Sequence, residues 1–179
     1  MSERGRPQPV IGVVGWKNSG KTTLVVRLVE HLTAKGLTVS TVKHAHHAVD
    51  PDAPGKDSRR HREAGAREVM LATASRFALF HEHRGEREPP LDELLARMQP
   101  VDLVVVEGFK RFAYPKIETH RAERRTPLLA GEDPTIVAVA SDEPLDGSPV
   151  PVLDLDDIPA IAGLIMGRLG LRWPDHAAG

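Results

Sequence analysis

The segment Gly15-Trp16-Lys17-Asn18-Ser19-Gly20-Lys21-Thr22 constrains the fold more than any other part of this sequence, because it matches the pattern G-x-x-x-x-G-K-[ST] in full. An apolar run at residues 10–14 precedes it, and leucines and valines at helical spacing follow it. A strand, a glycine-rich loop and a helix in this order form a P-loop, whose backbone N–H groups surround a phosphate. The predicted nucleotide-binding residues are Gly15, Trp16, Lys17, Asn18, Ser19, Gly20, Lys21, Thr22 and Thr23.

Within this loop, two side chains have distinct expected roles. Lys21 is placed to reach the β- and γ-phosphates of a nucleoside triphosphate, and the Thr22 hydroxyl is placed to bind Mg²⁺. The P-loop by itself indicates nucleoside triphosphate binding and no more.

A P-loop needs a second acid at the end of a neighbouring buried strand, and the run at residues 103–106 offers two candidates. Asp102 precedes this run and Glu107 follows it. The carboxyl ends of parallel strands face the phosphate site, so Glu107 is the better placed of the two. We expect Glu107 to act in catalysis and, with Thr22, to hold Mg²⁺ or its water; the alternative is a surface residue at a strand end.

The remaining pattern predicts an α/β fold with a mostly parallel sheet flanked by helices, that is, a P-loop NTPase fold with an antiparallel strand insertion. Helices are expected at 21–35, 57–64, 91–98 and 158–169. Strands are expected at 10–14, 37–42, 103–106, 116–119, 136–140 and 152–153, with a hairpin at 69–73 and 77–82. A single domain over residues 9–171 is expected, with flexible tails at 1–8 and 172–179.

Composition excludes several classes of function. The formal net charge is −1 and aromatic residues make up 4% of the chain, which disfavours nucleic-acid binding. Without cysteine, disulfides, thiolate metal sites and a cysteine nucleophile are excluded. No apolar run is long enough to cross a membrane, and the first nine residues lack the apolar core of a signal peptide. A cytoplasmic protein is expected.

Residues 44–67 are polar, rich in His, Arg and Asp, and interrupted by proline and glycine. Their histidines, with His81 and His83, allow three interpretations: a nucleotide-sensing switch or anion site, surface histidines, or a transition-metal site, which the nearby cations disfavour. Asp57 is expected to orient a water at the γ-phosphate or to bind Mg²⁺ through water. The basic residues Lys56, Arg59, Arg60 and Arg62 either meet phosphates or form a solvated basic helix.

Four further segments resemble the MobB family of molybdopterin-guanine dinucleotide biosynthesis adapter proteins. They are Thr41-Val42-Lys43-His44-Ala45-His46-His47, Pro54-Gly55-Lys56-Asp57-Ser58-Arg59-Arg60-His61 with Ala64-Gly65-Ala66, Glu107-Gly108-Phe109-Lys110, and Pro115-Lys116-Ile117-Glu118-Thr119-His120-Arg121. The resemblance covers roughly residues 9–170. It implies a GTP- and Mg²⁺-binding homodimer that assists a MobA-type molybdopterin guanylyltransferase in attaching GMP to molybdopterin.

The guanine-binding tetrapeptide Asn-Lys-x-Asp is missing from the sequence, so the preference for GTP over ATP rests mainly on the resemblance. Asp142, after the strand at 136–140, is the candidate acceptor for guanine N1–H and N2–H, or else it caps the next turn. A nickel-insertion metallochaperone GTPase and a small P-loop kinase are the alternative functions. We expect weak GTPase activity, because outside residues 44–67 no residue is clearly placed to orient the attacking water.

Overall fold

The computed structural model describes residues 8–45, 52 and 55–175. The chain divides into two compact units. The first contains the residues up to His44 together with those from Gln99 onward, and the second is Ala45–Met98. The predicted single domain over 9–171 stays a prediction, and each unit is described by itself.

The secondary structure alternates between strands and helices. The strands are β1 (Val10–Gly15), β2 (Val39–Lys43), β3 (Glu68–Ala72), β4 (Phe77–His81), β5 (Leu103–Glu107), β6 (Lys116–His120), β7 (Ile136–Ser141) and β8 (Val152–Asp154). The α-helices are α1 (Lys21–Ala34), α2 (Asp57–Glu63), α3 (Leu91–Ala96) and α4 (Ile158–Leu169), and short 3₁₀ helices lie at Ala122–Arg124 and Leu129–Gly131.

The first unit is built on a six-stranded sheet in the order β2-β5-β1-β6-β7-β8, in which every neighbouring pair is parallel. The predicted mostly parallel α/β fold is therefore confirmed. All residues of β1 and β5 are buried, as expected for central strands of a sheet covered on both faces. Because the strands are parallel, their carboxyl ends meet at one edge, and β1 delivers the glycine-rich loop to the middle of that edge.

The prediction that the second strand begins at residue 37 is wrong, and the end of α1 explains why. Gly36 has φ of +88°, and its N–H donates to Thr33 O. The Leu37 N–H donates to Leu32 O at 3.1 Å, which completes a Schellman motif and keeps Leu37 in the helix cap. Both leucines are buried in the core, so β2 starts two residues later, at Val39.

Helices α1 and α4 cover one face of the sheet with apolar side chains. Leu28 and Leu32 of α1, and Ile161 and Ile165 of α4, are fully buried. The Asp157 side chain caps α4 by accepting from Ala160 N at 3.0 Å. On the other face a smaller cluster contains Val14, Ala130, Ile136 and Val139. This packing fixes α1, and with it the glycine-rich loop at its N-terminus, against the sheet.

The second unit contains α2, α3 and the hairpin of β3 and β4, which pair antiparallel in register from Glu68↔His81 to Ala72↔Phe77. The predicted antiparallel insertion is confirmed. Arg62 of α2 donates to Glu82 at 2.7 Å and lies 5.1 Å from the centre of the Phe80 ring. Because its side chain is only 12% exposed, we interpret Arg62 as part of the internal packing of this unit.

The C-terminal segment of the first unit contacts α1. Trp173, within the predicted tail at 172–179, packs edge-on against His31 of α1 with ring centres 6.0 Å apart. Residues 1–7 and 176–179 lie outside the described residues, so the prediction of flexible tails stays a prediction. Among the residues the structure describes, no helix is long and apolar enough to cross a membrane.

Candidate functional site

The glycine-rich loop between β1 and α1 is held in shape by a buried hydrogen bond to β6. Ser19 Oγ and Thr119 Oγ1 are 2.6 Å apart, and Thr119 Oγ1 also donates to Val14 O at 3.2 Å. Gly15 permits this approach: a Cβ there would lie 2.5–2.6 Å from Ser19 Oγ and from two Thr119 oxygens. The Ser19 hydroxyl therefore braces the loop, and the Ser19 N–H donates to Trp16 O at 3.2 Å within it.

Lys21, the first residue of α1, folds back over the loop. Its ammonium donates to Trp16 O at 2.7 Å and to Gly15 O at 3.2 Å. Burial lowers the pKa of Lys21 from its ordinary value, the nearby Glu107 carboxylate raises it, and Lys110 and Lys43 lower it further. The loop thus holds a partly desolvated cation beside the α1 N-terminus, the arrangement that favours a bound phosphate.

The structure brings together Thr22 and Glu107, the two residues predicted to hold Mg²⁺. Thr22 Oγ1 donates to Glu107 Oε1 at 2.8 Å, although 85 residues separate them in the chain. Lys43, at the end of β2, lies 3.1 Å from the same carboxylate oxygen and donates to Thr22 Oγ1 at 3.2 Å. A hydroxyl and a carboxylate beside a phosphate site are ligands that Mg²⁺ prefers, so the residues present fit this ion.

The backbone at the end of β5 turns sharply just after Glu107. Gly108 has φ of +92°, and a Cβ there would lie 3.2 Å from His44 Cβ. Phe109 adopts φ of +49°, a conformation uncommon for a bulky residue, and its ring stacks on His44 at 4.3 Å between centres. His44 N also donates to Glu107 O at 2.9 Å. These contacts join the ends of β2 and β5, and so fix Glu107 beside Lys43.

The acid that immediately precedes β5 has a different environment. Asp102 Oδ2 accepts from the backbone N–H of Thr38 at 2.7 Å and from its hydroxyl at 2.6 Å. These two hydrogen bonds hold the pKa of Asp102 below its ordinary value. Asp102 therefore ties β5 to the start of β2 at the amino edge of the sheet, opposite the edge where Glu107 meets Thr22.

At the other side of the loop, Arg121 and Asp142 form a second polar group. Arg121 follows β6 and donates to Asp142 Oδ2 at 3.3 Å, while Ala122 N donates to Asp142 Oδ1 at 3.0 Å. The Arg121 guanidinium passes close to Gly20, since a Cβ on that glycine would lie 3.4 Å from Arg121 Nε. Asp142 also lines a groove of about 410 Å³ between the carboxyl ends of β7 and β8.

The other predicted loop residues are exposed, and one of them makes defined contacts. The Trp16 indole donates to Pro127 O at 2.8 Å, and the Lys110 ammonium lies 4.7 Å from the centre of its ring. Lys17, Asn18 and Thr23 are exposed, and Asn18 adopts φ of +63°, which asparagine tolerates. The exposed face of the loop is the face a nucleotide can reach.

Two further sets of predictions concern Asp57 and the histidines. Asp57 is an exposed residue of the second unit, 3.7 Å from Arg60 on the same helix, and its catalytic role stays a prediction. His46 and His47 lie outside the described residues. Within the described part of the chain, no group of three or more His, Cys, Asp or Glu side chains is arranged to hold a metal ion.

Sequence reasoning missed the parts that Lys43, Thr119 and Arg121 play in this site. Each had been noted only as one residue of a longer motif. A signal was available for Lys43, because parallel strands that end together bring their last residues side by side. Lys43 is in register with Glu107. For Thr119 and Arg121, the patterns indicated a strand end but not which side chain faced the loop.

A parallel sheet with this loop between β1 and α1, and an acid at the end of the neighbouring strand, defines a P-loop nucleotide-binding protein. The family model for MobB, molybdopterin guanine dinucleotide synthesis protein B, matches residues 10–142. The chain belongs to the MobB family.

Individual relatives agree with this assignment. The chain is 41% identical to the molybdopterin-guanine dinucleotide biosynthesis adapter protein of Haemophilus influenzae, over 96% of this chain and 92% of that protein. It is 38% identical to the Escherichia coli protein of the same description, over 88% of this chain and 91% of that one. The solved structure of Bacillus subtilis MobB superposes with a TM-score of 0.67 at 29% identity, covering 90% of this chain and 98% of that one.

The buried Ser19–Thr119 contact leads to a prediction about the loop. Replacing Thr119 by Val leaves the Ser19 hydroxyl buried without its partner, which should cost about 1–3 kcal/mol of unfolding free energy. Adding Ser19→Ala removes the orphaned group, so the double variant should recover most of that loss. Thermal or urea unfolding measures both; a double variant as unstable as the sum of the two single variants would contradict the proposed pairing.

Proposed function

We propose that this chain is an adapter in molybdopterin guanine dinucleotide synthesis, which holds GTP with Mg²⁺ on its P-loop while a MobA-type guanylyltransferase attaches GMP to molybdopterin. The observation that carries this proposal is the 2.8 Å contact between Thr22 and Glu107 at the mouth of the loop. Membership of the MobB family supports the pathway, and the names of the relatives support the adapter role.

In this proposal different parts of the site bind the phosphates and the metal ion. Backbone N–H groups from Gly15 to Thr22 and the α1 N-terminus surround the phosphates. Lys21 exchanges its two carbonyl contacts for phosphate oxygens, which are stronger partners for an ammonium. Thr22 and Glu107 would hold Mg²⁺, which neutralises charge on the phosphate oxygens when bound.

The groove between β7 and β8 is the proposed site for the base. Its lining includes Asp142, Asp146 and Asp154, so hydrogen-bond acceptors dominate its polar surface. Guanine presents N1–H and N2–H donors that a single carboxylate can accept together, whereas adenine lacks this pair. Asp142 already accepts from Ala122 and Arg121, but a carboxylate has about four acceptor positions, so capacity for the base remains.

Calorimetric titration tests nucleotide binding. In Lys21→Ala the loop loses a charge-assisted contact worth about 1.5–3 kcal/mol, so the GTP affinity should fall about tenfold or more while the fold survives. Lys35→Ala, at the other end of α1, is the matched control and should bind GTP like the wild type. ATP should bind more weakly than GTP. An unchanged GTP affinity in Lys21→Ala would contradict the assignment of the loop.

Hydrolysis tests the adapter role against that of a free-standing enzyme. Alone, the protein should hydrolyse GTP far below about 10 s⁻¹, a median rate for enzymes, and the guanylyltransferase with molybdopterin should raise that rate. Glu107→Gln should lower the Mg²⁺-dependent rate about ten- to hundredfold and GTP affinity by less, with Asp102→Asn, at the opposite end of β5, as the control. Fast turnover by the isolated chain, or phosphate transfer to a small acceptor, would contradict the adapter role.

We further propose that the protein forms a homodimer through the hairpin of β3 and β4. Within the described residues this sheet has only two strands, so each strand has an unpaired edge. Its large apolar side chains are exposed: Met70 by 59%, Leu71 by 50%, Phe77 by 68% and Leu79 by 46%. Met70, Phe77 and Leu79 share one face of the hairpin, since Met70 pairs with Leu79 and Phe77 lies two residues before Leu79. A second copy of this chain offers the same edge and the same apolar face, as a two-fold interface requires.

Light scattering tests this assembly. The wild type should have the mass of a dimer, and Phe77→Ser should shift it toward the monomer because it removes the most exposed of these apolar side chains. Val26→Ser, on the exposed side of α1, is the control and should leave the mass unchanged. A wild-type protein with the mass of a monomer at micromolar concentration would contradict the proposed dimer.

A further inference from the structure

Lys43 contacts both oxygen-bearing side chains that the proposed function assigns to Mg²⁺. Its ammonium lies 3.1 Å from Glu107 Oε1 and 3.2 Å from Thr22 Oγ1. The parallel register of β2 and β5 sets Lys43 beside Glu107, so this contact follows from the fold and not from a chance rotamer of a distant side chain.

The contacts of Lys43 oppose a metal ion bound at the same two oxygens. The Thr22 hydroxyl gives its proton to Glu107 and accepts from Lys43, so Lys43 occupies one of the two lone pairs of that oxygen. Mg²⁺ needs an oxygen lone pair at about 2.0–2.1 Å and near-octahedral geometry. It would also stand within a few ångströms of the ammonium, where like charges repel. Metal binding therefore requires Lys43 to leave.

The two partners of this ion pair differ in how freely they can move. The side chain of Lys43 is 59% exposed and that of Glu107 is 11% exposed. An ammonium on a flexible four-carbon stem can turn into solvent or toward a phosphate, whereas the buried carboxylate is held at the end of β5. The mobile member of the pair is thus the cation, and the fixed member is the metal ligand.

We propose that Lys43 is the built-in counterion of the metal site: it neutralises Glu107 when no Mg²⁺ is bound, and Mg²⁺ displaces it. This inference rests on the proposed function, in which the P-loop holds a nucleotide with Mg²⁺. Two consequences follow. Lys43 permits nucleotide binding without metal, because Glu107 then presents no uncompensated negative charge to the phosphates. Lys43 also competes with Mg²⁺ and raises the concentration of metal the complex needs.

The surrounding charges agree with this role. Lys43 and Lys110 lower the pKa of Lys21, and Glu107 raises it. Three ammonium groups and one carboxylate therefore share the mouth of the loop. Lys110 rests over the Trp16 ring at 4.7 Å. It provides a nearby cation for comparison, whose described contact is with the indole and not with the metal ligands.

The test measures GDP affinity by calorimetry in EDTA and across a Mg²⁺ titration. Lys43→Met keeps the apolar stem and removes the charge. This variant should bind GDP about tenfold or more weakly than the wild type in EDTA, and less than about threefold more weakly in saturating Mg²⁺. The Mg²⁺ concentration that gives half of the metal-dependent increase in GDP affinity should fall about fivefold. Lys43→Arg, which keeps the charge, should restore binding in EDTA.

Two controls isolate the pairing with Glu107. Lys110→Met should change GDP affinity by the same small factor with and without Mg²⁺. In the double variant Lys43→Met with Glu107→Gln, the loss in EDTA should largely disappear, because the uncompensated carboxylate is gone. Circular dichroism melting of each variant checks that the fold is retained.

Three outcomes would overturn the proposal. An equal loss with and without Mg²⁺ would make Lys43 an ordinary phosphate contact, and no change in either condition would make it a surface ion pair without function. If the wild type bound no nucleotide in either condition, the proposed function itself would fail, and that result is visible before any variant is compared.

Discussion

The buried contact between Ser19 and Thr119 is the interaction on which the rest of the site depends. It joins the glycine-rich loop to β6 through two hydroxyl groups 2.6 Å apart, in a space where a Cβ on Gly15 would clash. The Lys21 ammonium folds over the same loop and donates to Gly15 O and Trp16 O, so the loop is held from both sides. A braced loop avoids much of the ordering cost that a flexible loop would incur when it binds a phosphate.

The proposed metal ligands depend on a second constraint, the shared edge of parallel strands. Thr22, Lys43 and Glu107 are far apart in the chain, yet β1, β2 and β5 end at the same edge, and α1 starts there. The turn at Gly108 and the stacking of His44 on Phe109 then hold the ends of β2 and β5 together. The sheet topology therefore brings these positions together, and their side chains supply the polar groups.

The sequence was most informative where a local pattern determines a local structure. The glycine-rich loop, the buried strand before Glu107 and the hairpin were predicted correctly because loop chemistry and apolar runs act over a few residues. Leu37 was assigned to a strand because it is an apolar residue directly after Gly36. The Schellman hydrogen bond that keeps it in the helix cap is not visible in the sequence. The pairing of Lys43 with Glu107 depends on the register of β2 with β5, a contact between distant parts of the chain. The pairing of Arg121 with Asp142 depends in addition on side-chain orientation, which no local pattern encodes. The roles of Asp57 and Asp142 stay predictions.

The most direct test of this account is whether a divalent cation on the protein touches both Thr22 and the nucleotide. Mn²⁺ can replace Mg²⁺ and be followed by electron–nuclear double resonance with bound GDP. The account predicts ³¹P coupling from a directly coordinated phosphate in the wild type, and Mn²⁺ binding weakened about tenfold or more in Thr22→Val, which keeps the shape but removes the ligand oxygen. Wild-type Mn²⁺ with no phosphorus coupling, or unchanged Mn²⁺ binding in Thr22→Val, would contradict it.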